Sequence, residues 1–163
     1  MEITRISDPE HRLSMEWART SRPAPPAELQ PLVPVAGVVP LGEFELIKAL
    51  QSPDVVVVDS RKSEQYAKYT IPGAINLPFT EIDAALETLG CRRDGDAWDC
   101  RAARHVAMFC NGVWCGQSPT AIRKMTAAGF PANRISYYRN GLQGWLLQGL
   151  SVWTPGEARC FHI

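Results

Sequence analysis

The sequence predicts an α/β protein with a mostly parallel central sheet and helices on both faces. Residues 54–59 and 105–110 each contain an uninterrupted apolar run, which is typical of a strand buried on both faces. Segments with apolar residues at helical spacing alternate with these runs. Strands and helices that alternate through short links favour parallel pairing.

The first half of this pattern follows from apolar spacing and from the placement of proline and glycine. Residues 35–39 are a short strand candidate, and residues 42–50 carry apolar side chains at helical intervals. Four consecutive valines at 55–58 predict a central strand, and residues 63–68 suit a short helix. Proline and glycine enclose a brief strand at 74–76.

The second half continues the alternation. Residues 80–89 are expected to form a helix. Residues 91–104 are polar, contain an Asp-Gly-Asp turn, and are expected to form a loop. The remaining elements are a strand at 105–110, a helix at 117–128, a strand at 134–138 and a helix at 142–148.

The chain of 163 residues fits one domain, which we place at residues 35–153. An N-terminal extension (1–34) precedes it and a tail (154–163) follows. Seven of the 13 prolines lie in the first 40 residues, so a proline-rich arm at 21–34 is expected to be extended. A short helix near residues 9–18 is predicted before the arm.

Charge and hydropathy argue against several classes of function. Lys+Arg and Asp+Glu are 17 each, so bulk charge favours neither nucleic acid nor an anionic membrane. The apolar stretches at 32–39 and 55–58 are too short to span a membrane, and the N-terminus lacks the apolar stretch of a signal peptide. We therefore expect a cytoplasmic protein with no nucleic-acid partner and no direct membrane insertion. Attachment to a membrane complex stays open.

The five cysteines are an odd number, so they cannot all pair within one chain. In a reducing cytosol they indicate chemistry at one or two thiols and inert packing for the others. Cys91, Cys100, Cys110 and Cys115 are separated by eight, nine and four residues, which is not the double Cys-x2-Cys pattern of a zinc site. We expect no metal.

The segment that follows the strand at 105–110 is the candidate site, because ligands bind beyond the carboxyl ends of parallel strands. A loop that leads into a helix directs backbone N–H groups into one concavity and places the positive end of the helix dipole beside the Cys110 sulfur. Both effects favour a thiolate, so Cys110 is the candidate nucleophile, although a buried inert thiol is the alternative. The expected anion cradle consists of Asn111, Gly112, Val113, Trp114, Cys115, Gly116, Gln117 and Ser118.

Four segments in a fixed order share the pattern of a known family. They are Asp59-Ser60-Arg61 with Gln65-Tyr66, the Ile-Pro-Gly-Ala-Ile-Asn-Leu-Pro run at 71–78, Cys110, and Asn140-Gly141-Leu142-Gln143-Gly144-Trp145 with the Gly-Leu-Ser-Val run at 149–152. Over about residues 35–152 the chain resembles a single rhodanese domain, the sulfurtransferase module.

The resemblance implies a mechanism and its partners. Cys110 would take the outer sulfur of a donor as a persulfide and pass it to a nucleophilic acceptor in a ping-pong cycle. The loop amides would hold the anionic sulfur. The implied partners are a small sulfur donor and a thiol or protein sulfur acceptor, with no cofactor.

The loop departs from the pattern of typical members. Ser118 follows Cys110 by eight residues, where six are usual, and the loop lacks the Arg or Lys that pairs with an anionic donor in many members. Val113 and Trp114 predict a more apolar rim, suited to a thiol, a low-molecular-weight persulfide or a protein partner rather than to thiosulfate. Tyr69-Thr70 replaces the usual Gly-His.

Several supporting roles stay open at this level. Asp59 is expected to cap a turn or to pair internally, and Arg61 either faces the cradle as its positive charge or has only a structural role. Gln117 and Ser118 are expected to cap the following helix, with a bond from Ser118 to the persulfide as the alternative. Cys115 is either a resolving thiol that forms a disulfide with Cys110 or a small core hydrophobe.

Two other functions remain as alternatives to a sulfurtransferase. A non-catalytic binding module would keep the fold and make Cys110 incidental. A phosphatase or arsenate reductase would need a loop arginine to clamp the oxyanion, and none lies between Cys110 and Ser118.

Overall fold

The computed structural model describes residues 29–157 and 160–161. The helix predicted near residues 9–18 lies outside the described residues, as does most of the proline-rich arm at 21–34. Among the described residues, no helix is long and apolar enough to cross a membrane.

A five-stranded sheet lies at the centre, and every neighbouring pair of its strands is parallel. Its strands are β1 (Val39–Pro40), β2 (Val55–Asp59), β3 (Ile75–Asn76), β6 (His105–Phe109) and β7 (Ile135–Tyr138). Their order in the sheet is β1-β7-β6-β2-β3, so the two apolar runs of the sequence occupy interior positions. The predicted, mostly parallel sheet is confirmed.

Helices cover both faces of this sheet, as predicted. They are α1 (Glu43–Gln51), α2 (Ser63–Lys68), α3 (Gln117–Ala127) and α4 (Gly141–Leu147). Because side chains alternate along a strand, β2 and β6 supply two separate cores. One core packs Val56, Val58, Val106 and Met108 with Ile122 and Met125 of α3. The other packs Val57, Ala107 and Phe109 with Leu46 of α1 and with Leu142 and Trp145 of α4.

The register of β2 and β6 positions the candidate site. The two strands pair from Val55 opposite His105 to Asp59 opposite Phe109, and the Ser60 N–H continues the ladder to the Phe109 carbonyl at 3.0 Å. Both strands therefore end at the same edge. The residues that follow them leave the sheet side by side.

The prediction of one helix over residues 80–89 is wrong. The segment is a series of turns that ends in a 3-10 helix, Leu86–Leu89. Its backbone bonds join residues three apart, such as Ala85 N–H to the Ile82 carbonyl at 3.1 Å. Ile82, Leu86 and Leu89 are fully buried, so the apolar spacing that predicted an α-helix serves tighter turns here.

The loop predicted at residues 91–104 contains a β-hairpin. Strands β4 (Arg92–Asp94) and β5 (Ala97–Asp99) pair antiparallel, and Gly95, at φ 61°, lies in the predicted turn. The register places Cys91 opposite Cys100, and the two form a disulfide with Cα atoms 4.2 Å apart. The expectation that these two cysteines are inert free thiols is therefore wrong.

The last described residues pair with the domain. Strand β8 (Val152–Trp153) pairs antiparallel with β9 (Cys160–Phe161). Trp153 also exchanges two backbone hydrogen bonds with Thr70, at 2.8 and 3.0 Å. Part of the predicted tail therefore forms a strand.

Removing the disulfide should lower the free energy of unfolding. Closing a loop with a sequence separation of 9 restricts the unfolded chain, which is worth about 2–3 kcal/mol. Urea denaturation of a Cys91→Ser/Cys100→Ser double variant should show this loss. A reductant should lower the wild-type midpoint and leave the double variant unchanged; equal midpoints in all four samples would contradict the prediction.

Candidate active site

Cys110 directly follows β6, and its sulfur lies beneath the loop that leads into α3. The residue is only 1% exposed, and its Sγ donates a hydrogen bond to the Cys115 carbonyl at 3.2 Å. The side chain and backbone of Ser118 lie close enough to lower the pKa of Cys110. In this thiol form the buried Ser118 hydroxyl has no other hydrogen-bond partner among the described residues.

Hydrogen bonds from the start of α4 hold the loop in place. The Leu142 N–H donates to the Cys110 carbonyl and the Gln143 N–H to the Asn111 carbonyl, both at 2.9 Å. The C=O and N–H of one trans peptide point in opposite directions. The bond to the Cys110 carbonyl therefore turns the Asn111 N–H toward the interior of the loop, where it contacts the Cys115 sulfur.

Gly141 permits this close approach of α4 to the loop. Its φ is +59°, and a Cβ at this position would lie 2.5 Å from the Cys110 carbonyl oxygen and 2.6 Å from the Gly112 nitrogen. A side chain would meet backbone atoms that cannot rotate away. Glycine is therefore required at 141 both by conformation and by space.

The backbone donors of the loop surround the Cys115 sulfur. Backbone N–H groups of Asn111 and Gln117 contact it, and the Asn111 Nδ2 lies 3.6 Å away. These donors and, above all, the hydrogen bond from the Cys110 thiol lower the pKa of Cys115 to about 6, although its burial opposes them. Cys115 is 3% exposed and is a free thiol like Cys110.

Cys115 is therefore the more acidic of the two thiols. Burial, together with the neighbouring Cys115, raises the pKa of Cys110 well above its ordinary value. The loop amides and the helix dipole were expected to favour a thiolate at Cys110, but the pKa of Cys110 is raised. Desolvation of Cys110 outweighs the help of Ser118, and the amides serve Cys115 instead.

Asp59 and Arg61 form a buried ion pair beside the loop. The Arg61 Nη2 lies 2.7 Å from the Asp59 carboxylate and donates to the Tyr69 carbonyl at 2.7 Å, and the Thr70 hydroxyl donates to the same carboxylate at 2.8 Å. Asp59 therefore pairs internally. Arg61 also lines the adjacent cavity, but with its charge balanced.

A cavity of about 210 Å³ opens next to the cysteines. Its lining side chains are amides, aromatic rings and leucines, with Arg61 as the charged member: Arg61, Gln65, Tyr69, Asn111, Trp114, Leu142, Gln143 and Leu146. Trp114 lies at the rim, 37% exposed. Neither sulfur lines the cavity, whereas Asn111, the residue that follows Cys110, does.

Side-chain amides connect the wall of the cavity to the loop. Gln117 accepts a hydrogen bond from Asn111 at 3.3 Å and donates one to Gln65 at 3.2 Å. Gly116 is the N-cap of α3 and no side chain caps the helix, so the predicted capping by Gln117 and Ser118 is wrong. The side chain of Gln117 is engaged in this chain of amides instead.

Sequence reasoning missed three residues that shape the site. Gln143 accepts a hydrogen bond from the Trp114 ring N–H at 2.9 Å and so fixes the rim. Gln30, assigned to the N-terminal extension, donates its N–H to the Val113 carbonyl at 2.8 Å. Gln143 lies within the Asn140–Trp145 motif, which was a usable signal, whereas no local pattern marks Gln30.

Tyr137 is the third missed residue. Its hydroxyl is buried and has no hydrogen-bond partner among the described residues. Burial and the electrostatic effect of Cys110 and Cys115 raise its pKa, so the hydroxyl stays protonated near the sulfurs. In the sequence Tyr137 is one residue of a strand, and nothing in that pattern indicates that its hydroxyl lies near the two cysteines.

The described part of the chain holds no group of three or more His, Cys, Asp or Glu side chains that could bind a metal ion.

Substituting Gly141 should damage the loop more than a matched glycine does. Gly149 also has a positive φ (+69°), but a Cβ there would meet nothing within 4 Å. Gly149→Ala should cost about 1–2 kcal/mol of unfolding free energy from conformation alone. Gly141→Ala should cost more and should also slow thiol alkylation at pH 7, because the clash displaces the Asn111 N–H. Equal effects of the two substitutions in urea denaturation and alkylation would contradict this.

The thiol pair should lose its first proton near pH 6. A pKa of about 6 at Cys115 means that thiolate predominates above that pH, whereas an ordinary cysteine ionises near ~8.5. Thiolate absorbance and alkylation rate should therefore rise as the pH passes through 6. In Cys115→Ser this rise should disappear, because burial keeps the remaining Cys110 thiol protonated. A variant that keeps the rise would show that the charge resides elsewhere.

Comparison with known proteins agrees with this architecture. A sequence model described as a rhodanese-like domain matches residues 44–148. The structure of thiosulfate sulfurtransferase from Pseudomonas aeruginosa is 25% identical, with a TM-score of 0.54 over 77% of this chain and 22% of that one. The human single-domain sulfurtransferase TSTD1 is 22% identical, with a TM-score of 0.51 over 70% of this chain and 98% of that one, and shows the fold alone.

A curated protein that is longer than this chain also matches it. HTH-type transcriptional regulator Rv0324 of Mycobacterium tuberculosis (strain ATCC 25618 / H37Rv) is 32% identical over 108 residues. The match covers 66% of this chain but 42% of that protein, so this chain spans less than half of its length. The match to the rhodanese-like model extends over more than half of this chain, and the chain therefore belongs to the family of rhodanese-like domains.

Proposed function

We propose that the protein is a sulfurtransferase that carries sulfane sulfur on Cys110 as a persulfide. The observation that supports this most directly is a pair of buried free thiols, Cys110 and Cys115, inside the loop that leads into α3, with the Cys110 Sγ 3.2 Å from the Cys115 carbonyl oxygen. Such a pair can supply a sulfur nucleophile at neutral pH. The loop can then stabilise the anion that results.

The first step uses Cys115 as the proton acceptor. Its thiolate takes the proton of Cys110, and the Cys110 sulfur attacks the outer sulfur of the donor. The S–S bond of the donor breaks, the donor thiolate leaves with the electron pair and is protonated by solvent, and the Cys110 persulfide remains. The hydroxyl of Ser118, which has no other partner in the thiol form, is available to donate to the added sulfur.

The cavity favours a donor of low charge. Arg61 is its charged lining residue among those described, and the Asp59 carboxylate balances that charge at 2.7 Å. A dianion such as thiosulfate would lose its hydration in the cavity and would find no free cation to pair with, so its binding would cost free energy. A low-molecular-weight persulfide, whose organic part can contact Trp114 and Leu146, fits the cavity better.

A non-catalytic binding module is the second candidate. The burial of both sulfurs and the name of the mycobacterial relative, a transcriptional regulator, favour it. It requires no chemistry at Cys110. A phosphatase or arsenate reductase is less well supported, because Arg61 is engaged by Asp59 and does not offer a free clamp for an oxyanion.

Mass spectrometry after incubation with a persulfide donor tests the proposal. Wild type, quenched at early time points, should gain one sulfur on Cys110, and Cys110→Ser should gain none there because a hydroxyl does not ionise near neutral pH. Cys160→Ser, a cysteine substitution in β9 outside the loop, should behave like wild type. Circular dichroism of each variant checks that the fold is retained.

The donor preference should appear in kcat/KM. A low-molecular-weight persulfide should exceed thiosulfate by about tenfold or more, which corresponds to about 1.4 kcal/mol of transition-state stabilisation. A preference for thiosulfate would contradict the argument from Arg61. Failure of wild type to acquire sulfur from either donor would favour the binding module.

A further inference from the structure

In the proposed sulfur transfer Cys115 only accepts a proton and forms no bond to sulfur, although its side chain lies inside the same loop as Cys110. We propose that Cys115 resolves the Cys110 persulfide, so that the sulfane sulfur leaves as hydrogen sulfide and a Cys110–Cys115 disulfide remains. This inference rests on the proposed function. It adds a second activity, a persulfide reductase that depends on an external thiol or dithiol to reopen the disulfide.

The loop brings the two cysteines together without a change in fold. A turn closed by the Cys115 N–H and the Gly112 carbonyl, at 2.9 Å, folds the chain back toward the end of β6. The Cys110 Sγ consequently lies 3.2 Å from the Cys115 carbonyl oxygen, and the two neighbouring thiols affect each other's pKa. Both are free thiols in this structure.

The Cys115 sulfur already occupies the position where the loop binds an anionic sulfur. The N–H groups of Asn111 and Gln117 contact it, and the Asn111 side chain lies 3.6 Å away. The outer sulfur of a persulfide on Cys110 needs the same donors. The persulfide and Cys115 therefore compete within one small space, and this favours reaction between them.

Burial favours Cys115 over an external acceptor. Cys110 and Cys115 are 1% and 3% exposed, and neither lines the adjacent cavity. A protein acceptor would have to open a loop that α4 holds at Cys110 and Asn111. Cys115 needs no such opening, because it is already in place and its attack is intramolecular.

The chemistry balances with the groups named. The Cys115 sulfur attacks the inner sulfur of the persulfide, which is the Cys110 Sγ; the bond between the two persulfide sulfurs breaks, and a bond between Cys110 and Cys115 forms. The outer sulfur leaves with the electron pair and takes the proton of Cys115, so the Cys110 persulfide and the Cys115 thiol give one disulfide and one molecule of hydrogen sulfide. Two electrons from an external thiol or dithiol then restore both thiols.

Single-turnover experiments with a low-molecular-weight persulfide test this inference. After removal of excess donor, wild type should release about one sulfide per chain without added reductant, and peptide mapping should recover the 110–115 crosslink. Cys115→Ser lacks the proton acceptor of the first step, so it should load more slowly and is incubated with the donor at higher pH until Cys110 carries the added sulfur. After removal of excess donor it should then release sulfide at least about tenfold more slowly than wild type, because the internal nucleophile is lost. Cys160→Ser should match wild type. Crosslink mapping on wild type needs no variant, so a folding defect in Cys115→Ser would not obscure the result.

The outcomes separate the two proposals. If Cys115→Ser gains sulfur and releases it as fast as wild type does, or wild type forms no crosslink, the resolving role is wrong and the sulfurtransferase stands. If neither protein gains sulfur on Cys110 and wild type releases no sulfide, both proposals are wrong. If the added sulfur is found on Cys115 in the Cys110→Ser variant, the roles of the two cysteines are reversed and the inference is overturned.

Discussion

The hydrogen bond from the Leu142 N–H to the Cys110 carbonyl is the constraint on which the rest of the site depends. It attaches the start of α4 to the end of β6, and it exists because Gly141 has no side chain to keep the two backbones apart. The same peptide unit carries the Asn111 N–H, which is thereby directed at the Cys115 sulfur. One backbone contact thus sets the direction of the loop donors and, through them, the acidity of the thiol pair.

Charge at this edge of the sheet is balanced almost entirely inside the protein. Asp59 and Arg61 neutralise each other, and Tyr69 and Thr70 complete their hydrogen bonds. A buried charge is tolerable only when it is paired or solvated by dipoles. Selectivity for a donor therefore follows from how the charges are paired rather than from how many basic residues the chain carries.

Much of the architecture was predictable because it depends on local sequence. The apolar runs of β2 and β6, the spacing of α3 and the glycine-bounded α4 encode their elements through sterics and side-chain periodicity. Cys110 could be singled out because it follows a buried strand and precedes a helix. The turns at residues 80–89 were predicted as an α-helix because the spacing of the buried residues 82, 86 and 89 is compatible both with an α-helix and with turns that end in a 3-10 helix.

By itself the sequence determined the parallel sheet with helices on both faces, the loop after β6 and the presence of two cysteines in that loop. Only the tertiary structure decided that Cys115 is the more acidic thiol and that Asp59 neutralises Arg61. It also decided that Cys91 and Cys100 form a disulfide. Finally, it brought Gln30 and Gln143 into hydrogen bonds with the loop and placed the Tyr137 hydroxyl near the two cysteines. The physical reason is the distance along the chain over which each interaction acts. Periodicity and backbone sterics act between neighbours along the chain, whereas a pKa, an ion pair or a disulfide depends on distances between residues that the fold alone brings together.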